Sequence, residues 1–376
     1  MTNKRTILYV GGFILPDKNA AAHRVISIAK ILRRLGYQVV FFNETPDAAD
    51  HVKIKKYYDF PCYEIKKKQD WVSLAKNMCD ISNVFRYLNE HADVFAVIAY
   101  NYPAVALNRL RKVCRKRKVR CFADVTEWYS VKHKSPVYKL VKGLDVWYRM
   151  RYVQKRLDGD IVISNYLESY YRPYLPVINI PPLVDKEDQK WILPHMAHKG
   201  IQLIYAGSPS AEKEKLDSVV ETVGMLLEDC DVYLEIIGIT REQFLLMYDF
   251  DQEQLEQYKN ISFLGRIPHT EVLQRISNAD YSILIRNDNR VTRAGFPTKF
   301  VESVSCGIPV IANDNSNIQQ FIQNGHNGIL LKNQSLQQVL CSILKRNDLQ
   351  QVDSDCFDFR KYIRPMSIFL EQFKDG

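Results

Sequence analysis

The chain has 376 residues, 46% of them hydrophobic and 25% charged, and carries a formal net charge of +9. This length and composition exclude a disordered chain and favour two α/β domains over one, and with no window of ~20 uninterrupted apolar residues a membrane-spanning helix is not expected. The positive charge is local, since eight Lys and Arg fall between residues 109 and 120 and account for nearly all of it.

Short apolar runs alternate with longer amphipathic ones, the pattern of parallel sheets wrapped by helices. In the first half, strand-like runs lie at 7–10, 39–42, 94–99, 121–125 and 161–163, and helical patterns cover roughly 22–35, 70–90, 103–117 and 137–157. At the start, Lys4-Arg5 precede an apolar run. Gly11-Gly12 interrupt it, and Asp17-Lys18 stand where the cleavage region of a secretory leader would be uncharged, so no leader is expected. The eight cysteines contain no Cys-x-x-Cys pair and read as reduced thiols of a cytosolic protein. Residues 172–199 hold Pro173, Pro176, Pro181, Pro182 and Pro194, the composition of a crossing between domains.

The second half restarts with a strand at 202–205. Helix 214–228, strand 233–237, helix 241–258, strand 261–264, helix 269–277 and strand 281–285 follow, then a last strand–helix pair near 328–345. The tail, with Tyr362, Ile368, Phe369, Leu370 and Phe373, reads as a terminal helix. In doubly wound sheets of this kind ligands bind beyond the carboxyl ends of the strands, which singles out the loops there.

Residues 295–311, Gly-Phe-Pro-Thr-Lys-Phe-Val-Glu-Ser-Val-Ser-Cys-Gly-Ile-Pro-Val-Ile, are the most informative stretch. They read as a tight turn, a short helix and a buried strand. Pro297 suits a first helical turn, where its missing N–H is no loss. Thr298, Lys299 and the amides beside them then stand at the positive end of a helix, a natural place for phosphate. Glu302, about one turn further on, can accept two hydrogen bonds from the paired hydroxyls of a ribose. Gly307 fits the left-handed position that ends such a helix.

This stretch resembles the nucleotide-sugar site of retaining glycosyltransferases of family four, which have the GT-B architecture. The family's usual motif is E-x7-E, a small-residue turn and Gly-x-Pro-Val-Ile. Glu302 matches the second Glu, and the first falls on Ala294. Strand 202–205 runs into Ala206-Gly207-Ser208-Pro209-Ser210-Ala211-Glu212-Lys213, where Gly207 and Glu212-Lys213 match the family's spacing of Gly-Arg and Glu-Lys, with Ser208 in place of the Arg. The resemblance implies that Gly207 and Lys213 meet the diphosphate, with Lys215 or Arg286 as candidates to replace the missing arginine. Phe263-Leu264-Gly265-Arg266 is similar to the family's Phe-x-Gly turn around the base; Gly265 permits the turn, and Arg266 either stacks on the base or sits in solvent. Arg286, Arg290 and Arg293 lie directly before the phosphate-binding helix, from where they could approach the donor.

On the acceptor side, Gly11-Gly12-Phe13 follow the first strand and precede a helix with Arg24, which could reach a phosphate. The resemblance suggests that this loop lines the site near the transferred sugar. At the place where many family members carry a His, this chain has Asp124 and Glu127; either could receive the acceptor's proton or bind its hydroxyls. The basic run 109–120 and the segment 138–157, which mixes Lys139, Lys142, Arg149, Arg151, Lys155 and Arg156 with Leu140, Leu144, Trp147, Tyr148 and Tyr152, have the make-up of a surface that lies on an anionic membrane. No nucleic-acid recognition motif accompanies the basic run, so no nucleic acid is expected as a partner.

The resemblance implies a GT-B fold, two Rossmann-like doubly wound parallel-sheet domains facing a central cleft. The expected limits are an acceptor-binding domain at 1–185, a linker at 186–200, a nucleotide-sugar domain at 201–350 and a tail helix at 351–376 crossing back to the first domain. It implies a retaining glycosyltransferase that moves a sugar from a nucleotide-diphosphate sugar to a lipid-linked glycan of a bacterial surface polysaccharide. Such an enzyme works in the cytoplasm, peripheral on the inner face of the plasma membrane, with no cofactor. The four Asp-x-Asp pairs have no convincing strand-end setting, and Lys and helix amides can neutralise a diphosphate, so no metal is required. Two alternatives stay open: a catalytically silent sugar-nucleotide binder, because of Ala294 and Ser208, and a dinucleotide-dependent enzyme, which lacks its Gly-x-Gly-x-x-Gly after the first strand.

Overall fold

Strand β1 (Thr6–Gly11) is buried at every position, as its continuous apolar run requires of a strand covered on both faces. It is central in an eight-stranded sheet with β2 (Gln38–Thr45), β3 (Lys53–Tyr57), β4 (Phe60–Lys66), β5 (Val94–Tyr100), β6 (Arg120–Val125), β7 (Gly159–Val162) and β8 (Val177–Asn179). The order is β3-β4-β2-β1-β5-β6-β7-β8. All neighbours are parallel except β3 and β4, which form an antiparallel hairpin at the edge. The computed structural model describes residues 5–16, 19–49, 52–67, 77–129, 136–194, 196, 198–226, 231–314, 317–322, 325–332, 334–345 and 351–374.

The helices of this first unit are α1 (Ala20–Arg34), α2 (Ser82–Glu90), α3 (Ala104–Lys116), α4 (Pro136–Tyr148) and α5 (Asn165–Tyr171). In α1 the Asn19 side chain accepts the Ala22 amide at 2.8 Å, and Arg33 and Arg34 sit at the negative end, so cap and dipole both favour the helix. The helical expectation at 70–90 is met from Ser82 on; residues 70–76 lie outside the described ones. The expected helix at 137–157 is not uniform. It ends at Tyr148 and continues as a π-helical turn, Arg149–Val153, and a short 3-10 turn, Gln154–Arg156.

Two strands of this sheet escape the sequence pattern. Four of the five residues of β3 are exposed, and it is rich in lysine, which protects an edge against further pairing. Its turn uses Tyr58 and Asp59, both left-handed at φ 51° and 65°, so the hairpin lacks the glycine that usually announces it. Strand β8 is only three residues long.

The second unit holds a six-stranded, wholly parallel sheet of β9 (Ile201–Ala206), β10 (Val232–Ile237), β11 (Ile261–Gly265), β12 (Tyr281–Leu284), β13 (Val310–Asn313) and β14 (Gly328–Leu331). The order is β11-β10-β9-β12-β13-β14, the doubly wound arrangement with its reversal between β9 and β12. Its helices are α6 (Leu216–Gly224), α7 (Arg241–Tyr248), α8 (Gln252–Gln257), α9 (His269–Ser277), α10 (Arg290–Ala294), α11 (Thr298–Ser305) and α12 (Leu336–Lys345). The single helix expected over 241–258 is two, because Asp249 turns left-handed at φ 51° and ends the first.

The units divide at different residues from those expected. The first comprises Met1–Leu183 and Phe359–Gly376, the second Val184–Asp358. Residues 186–200, read as a linker, belong to the second unit: Trp191 is buried against Ile204, Ala206, Ile237 and Leu273, and the Lys186 amide donates to Asp358 at 3.1 Å. Residues 351–358 stay with it too, since Phe357 packs edge-on to Phe300 at 5.7 Å. The tail from Phe359 carries helix α13 (Ile363–Glu371) and adds to the first unit's core. Phe369 and Phe373 lie 5.5 and 4.9 Å from Phe122, and Gly159 is needed beneath them, because a Cβ there would stand 2.9 Å from Phe369 Cζ.

Candidate functional site

In the second unit the loops leaving β9 and β12 at their carboxyl ends flank the reversal of strand order, where doubly wound sheets bind ligands. After β9, Gly207 has φ +119°, and a Cβ on it would lie 2.8 Å from Lys299 Cε. A Cβ on Gly238, at the end of β10, would in turn lie 2.5 Å from the Gly207 carbonyl carbon. Both glycines therefore let backbone and a cation close over the loop.

Four charged side chains gather here. Lys299, in the first turn of α11, donates to the Ser208 carbonyl at 3.3 Å and to the Tyr205 hydroxyl, and stands 3.4 Å from Glu214 Oε1. Burial pushes its pKa down to about 8; Glu214 pulls it up, while Arg286 and Lys213 push it further down. Arg286, after β12, is itself buried, and the loss of water lowers its pKa against the pull of Glu214. Its Nε has no hydrogen-bond partner, an unmet donor in a cationic site. Its backbone is clamped by Asn313, which accepts the Arg286 amide and donates to its carbonyl, both at 2.8 Å. Lys213 is half-buried, and its loop is tied to the β12 side: Asn287 donates to the Lys213 carbonyl at 2.9 Å and Asn289 to the Glu212 carbonyl at 2.8 Å.

Thr298 opens α11 after Pro297 and is half-buried. Glu302, one turn on, has its Oε1 3.2 Å from His269 Nε2 at the start of α9. Gly265 is buried with φ +64°, as its turn requires, and Arg266 next to it is exposed. Ala294 is fully buried where the family's first Glu would fall. Of the other basic residues expected nearby, Arg293 is held by Asp288 with one bond of 2.6 Å, and Arg290 and Lys215 are exposed. Sequence reasoning missed Tyr205, Glu214, His269 and Asn313 as members of this cluster. Tyr205 reads as a core strand residue and Glu214 as one charge in a Lys-rich run; neither carries a motif signal.

In the first unit the corresponding reversal lies between β1 and β5. Gly11 ends β1 with φ +154°, and a Cβ there would meet the Tyr100 carbonyl oxygen at 2.8 Å. Gly12 is exposed beside the Glu44 carbonyl. Asp124 and Arg24, both expected to face a ligand, are buried and meet each other. Asp124 is fully buried, both of its oxygens lie within 3.0 Å of Arg24 Nε, and it also accepts the Tyr9 hydroxyl. Arg24 Nη1 donates to the Ile180 carbonyl at 2.8 Å. The two side chains considered for proton acceptance and phosphate binding are thus tied to each other in the interior. The apolar strand end that carries Asp124 draws it inward, and a buried carboxylate needs a cation.

Glu127 is half-buried and accepts a hydrogen bond from Tyr129, whose pKa is raised by burial first and by Glu127 second. Around Tyr129 stand Lys142 at 5.0 Å and Arg149 at 5.1 Å from the ring centre. Tyr100 nearby is pushed up to about 12, mainly by burial. Of the segment marked for a membrane, α4 leaves Leu140, Leu144 and Trp147 exposed at 64, 58 and 55%, on one face with exposed Arg151 and Tyr152. In the run 109–120, Lys112, Arg115, Lys116 and Lys118 are exposed, whereas Arg117 and Arg120 are tied to the Leu88 and Phe373 carbonyls. Among the described residues no helix is long and apolar enough to cross a membrane, and no three His, Cys, Asp or Glu side chains converge as a metal site.

Residues 186–352 match the family model of glycosyl transferases group 1. The chain is similar in structure to sucrose-phosphate synthase from Thermosynechococcus elongatus, with a TM-score of 0.71 at 14% identity over 98% of this chain and 99% of that one. It is similar to Anabaena Alr3699/HepE in complex with UDP and glucose, with a TM-score of 0.66 at 13% identity over 98% and 100%. A lipopolysaccharide outer core galactosyltransferase, WaaB, gives 0.64 at 16% identity over 98% and 99%. At these identities the likeness is one of fold, and the fold is GT-B. No curated protein matches the sequence at a significant level.

Proposed function

We infer that this chain, which belongs to the glycosyl transferases group 1 through residues 186–352, is a retaining glycosyltransferase that uses a nucleotide-diphosphate sugar. The observation that carries this reading is the convergence of Lys213, Arg286 and Lys299 at the carboxyl ends of β9 and β12, beside the N-terminus of α11. As the bond from the sugar carbon to the diphosphate breaks, negative charge grows on the departing oxygen, and fixed cations with helix amides stabilise it. The acceptor oxygen bonds to the same carbon on the same face, and its proton passes to the departing phosphate oxygen. No protein nucleophile is needed, and on this reading neither is a metal. Glu302 is assigned to the ribose and the Gly265 turn to the base, with Arg266 at its edge.

We assign the acceptor to the first unit, with Gly11, Gly12 and Glu127 near the transferred sugar. A lipid-linked glycan of a bacterial surface polysaccharide is the acceptor class that suits the exposed Leu140, Leu144 and Trp147 beside Arg151, since such a face settles on an anionic membrane. One structural relative acts on lipopolysaccharide, by its name. The enzyme would then work at the cytoplasmic face of the plasma membrane.

Calorimetric titration with UDP, GDP, ADP and CMP tests the donor reading. One of them binds, and Lys213→Ala and Glu302→Ala each weaken it without unfolding the protein. Unchanged affinity in both variants removes the assignment. A catalytically silent binder is the second reading, favoured by Ala294 in place of the motif's first Glu; nucleotide binding without hydrolysis or transfer of any donor would select it.

A further inference from the structure

The family pattern that this chain resembles has an arginine after the glycine of the β9 loop, and here that residue is Ser208. A cation from elsewhere in the chain reaches this loop. Lys299 reaches back from α11 until its Cε packs over Gly207, and its ammonium meets the Ser208 carbonyl at 3.3 Å and the Tyr205 hydroxyl. Glu214 lies 3.4 Å from that ammonium, and its other oxygen accepts the Ser210 amide at 3.1 Å, bracing the same loop.

We propose that Lys299 makes the diphosphate contact of the absent arginine, and that Glu214 is the positioning residue that holds its ammonium over the glycine loop until the diphosphate arrives. The proposal rests on the donor-site reading above. The charges support it: three cations, Lys213, Arg286 and Lys299, gather around the buried carboxylate of Glu214, leaving an excess of positive charge and an unmet donor at Arg286 Nε among the described residues. The other titratable groups around the pair are Tyr205 on β9 and Tyr248 on α7, whose hydroxyl donates to the Glu214 carbonyl at 3.3 Å. One turn along α11, Glu302 is occupied with His269.

A consequence follows for protons. With its pKa lowered to about 8, Lys299 is half neutral slightly above neutral pH. A diphosphate is a second anion beside it and favours the charged form. Binding near pH 8 therefore takes up a proton.

The test is calorimetry with UDP between pH 7 and 9, where its phosphates are ionised, in buffers of different ionisation enthalpy. At pH 8 the wild type takes up about half a proton, and affinity falls by up to about tenfold from pH 7 to 9. Lys299→Arg stays charged and abolishes both effects. Glu214→Gln removes the carboxylate that favours the charged lysine and moves the fall to lower pH, and Glu214→Asp restores it in part. A purely structural Glu214 would change affinity or stability and leave the pH profile where it was. A wild type that binds UDP with a flat profile and no uptake overturns the proposal, as does an equal fall in Lys299→Arg or an unmoved profile in folded Glu214→Gln. Should Glu214→Gln fail to fold, the profile of Glu214→Asp against wild type decides in its place. A wild type that binds none of UDP, GDP, ADP and CMP overturns the donor reading itself.

Discussion

Arg24 and Asp124 form an ion pair inside the first unit, with Nε 2.8 and 3.0 Å from the two carboxylate oxygens and Nη2 2.7 Å from Oδ1. The pair joins α1 to the end of β6, and Tyr9 on β1 completes it. A charge left alone at such depth is costly. Asp124→Ala is expected to destabilise the first unit by ~3–5 kcal/mol, because Arg24 stays buried without a counter-charge. Urea unfolding measures this; a variant of normal stability that has lost only turnover would return Asp124 to acid–base duty.

Gly207 and Gly307 are both left-handed, at φ +119° and +81°, yet their surroundings differ. Alanine at either position carries a backbone cost of ~1–2 kcal/mol. At Gly307 nothing lies within 4 Å of the new methyl group, whereas at Gly207 it meets Lys299 Cε at 2.8 Å. The lysine is flexible and moves aside, so Gly207→Ala loses nucleotide affinity by about tenfold or more while Gly307→Ala retains it. Equal affinities in the two variants would separate Gly207 from donor binding.

Lys299 costs stability while it is charged. Its pKa falls from an ordinary value of 10.5 to about 8 with 15% of its side chain exposed, a difference of ~3 kcal/mol at most. The cost is fully present below pH 8 and fades as pH rises toward 10.5, where the unfolded chain also loses the proton. Lys299→Met lacks this titration, so its stability measured against wild type declines as pH rises from about 8 toward 10.5. Thermal unfolding across this range checks the sign; a relative stability that rises with pH contradicts it.

The exposed face of α4 has measurable consequences as well. Replacing Leu144 and Trp147 by Ser removes apolar area worth ~1.5–3 kcal/mol per fully buried side chain. Vesicle binding with anionic lipids should fall at least about tenfold, with nucleotide affinity unchanged. Neutralising Lys112, Arg115, Lys116 and Lys118 should weaken the same binding and flatten its dependence on salt. Vesicle binding identical to wild type in both variants would exclude the membrane role.

Much of this molecule is legible from local pattern. The apolar runs at 7–10 and 202–205, the helix signals after Pro297 and the left-handed Gly307 depend on neighbours a few residues away, and backbone sterics and burial of a continuous apolar strand act at that range. The hairpin β3–β4 was hidden because its turn places Tyr58 and Asp59 in a conformation that their side chains do not advertise. Single apolar residues set the unit limits, Trp191 and Phe357 by packing into the second unit, and local pattern does not announce that packing.

By itself the sequence determined the alternation of strands and helices, the start of α11 after Pro297 and the basic character of residues 109–120. Only the tertiary structure decided which charges meet. It paired Arg24 with Asp124 100 positions away, and laid Lys299 over a loop 91 positions before it. The reason is physical: a side chain's charge is written in its residue type, but its desolvation and its partners arise only when the sheet order brings distant strand ends together.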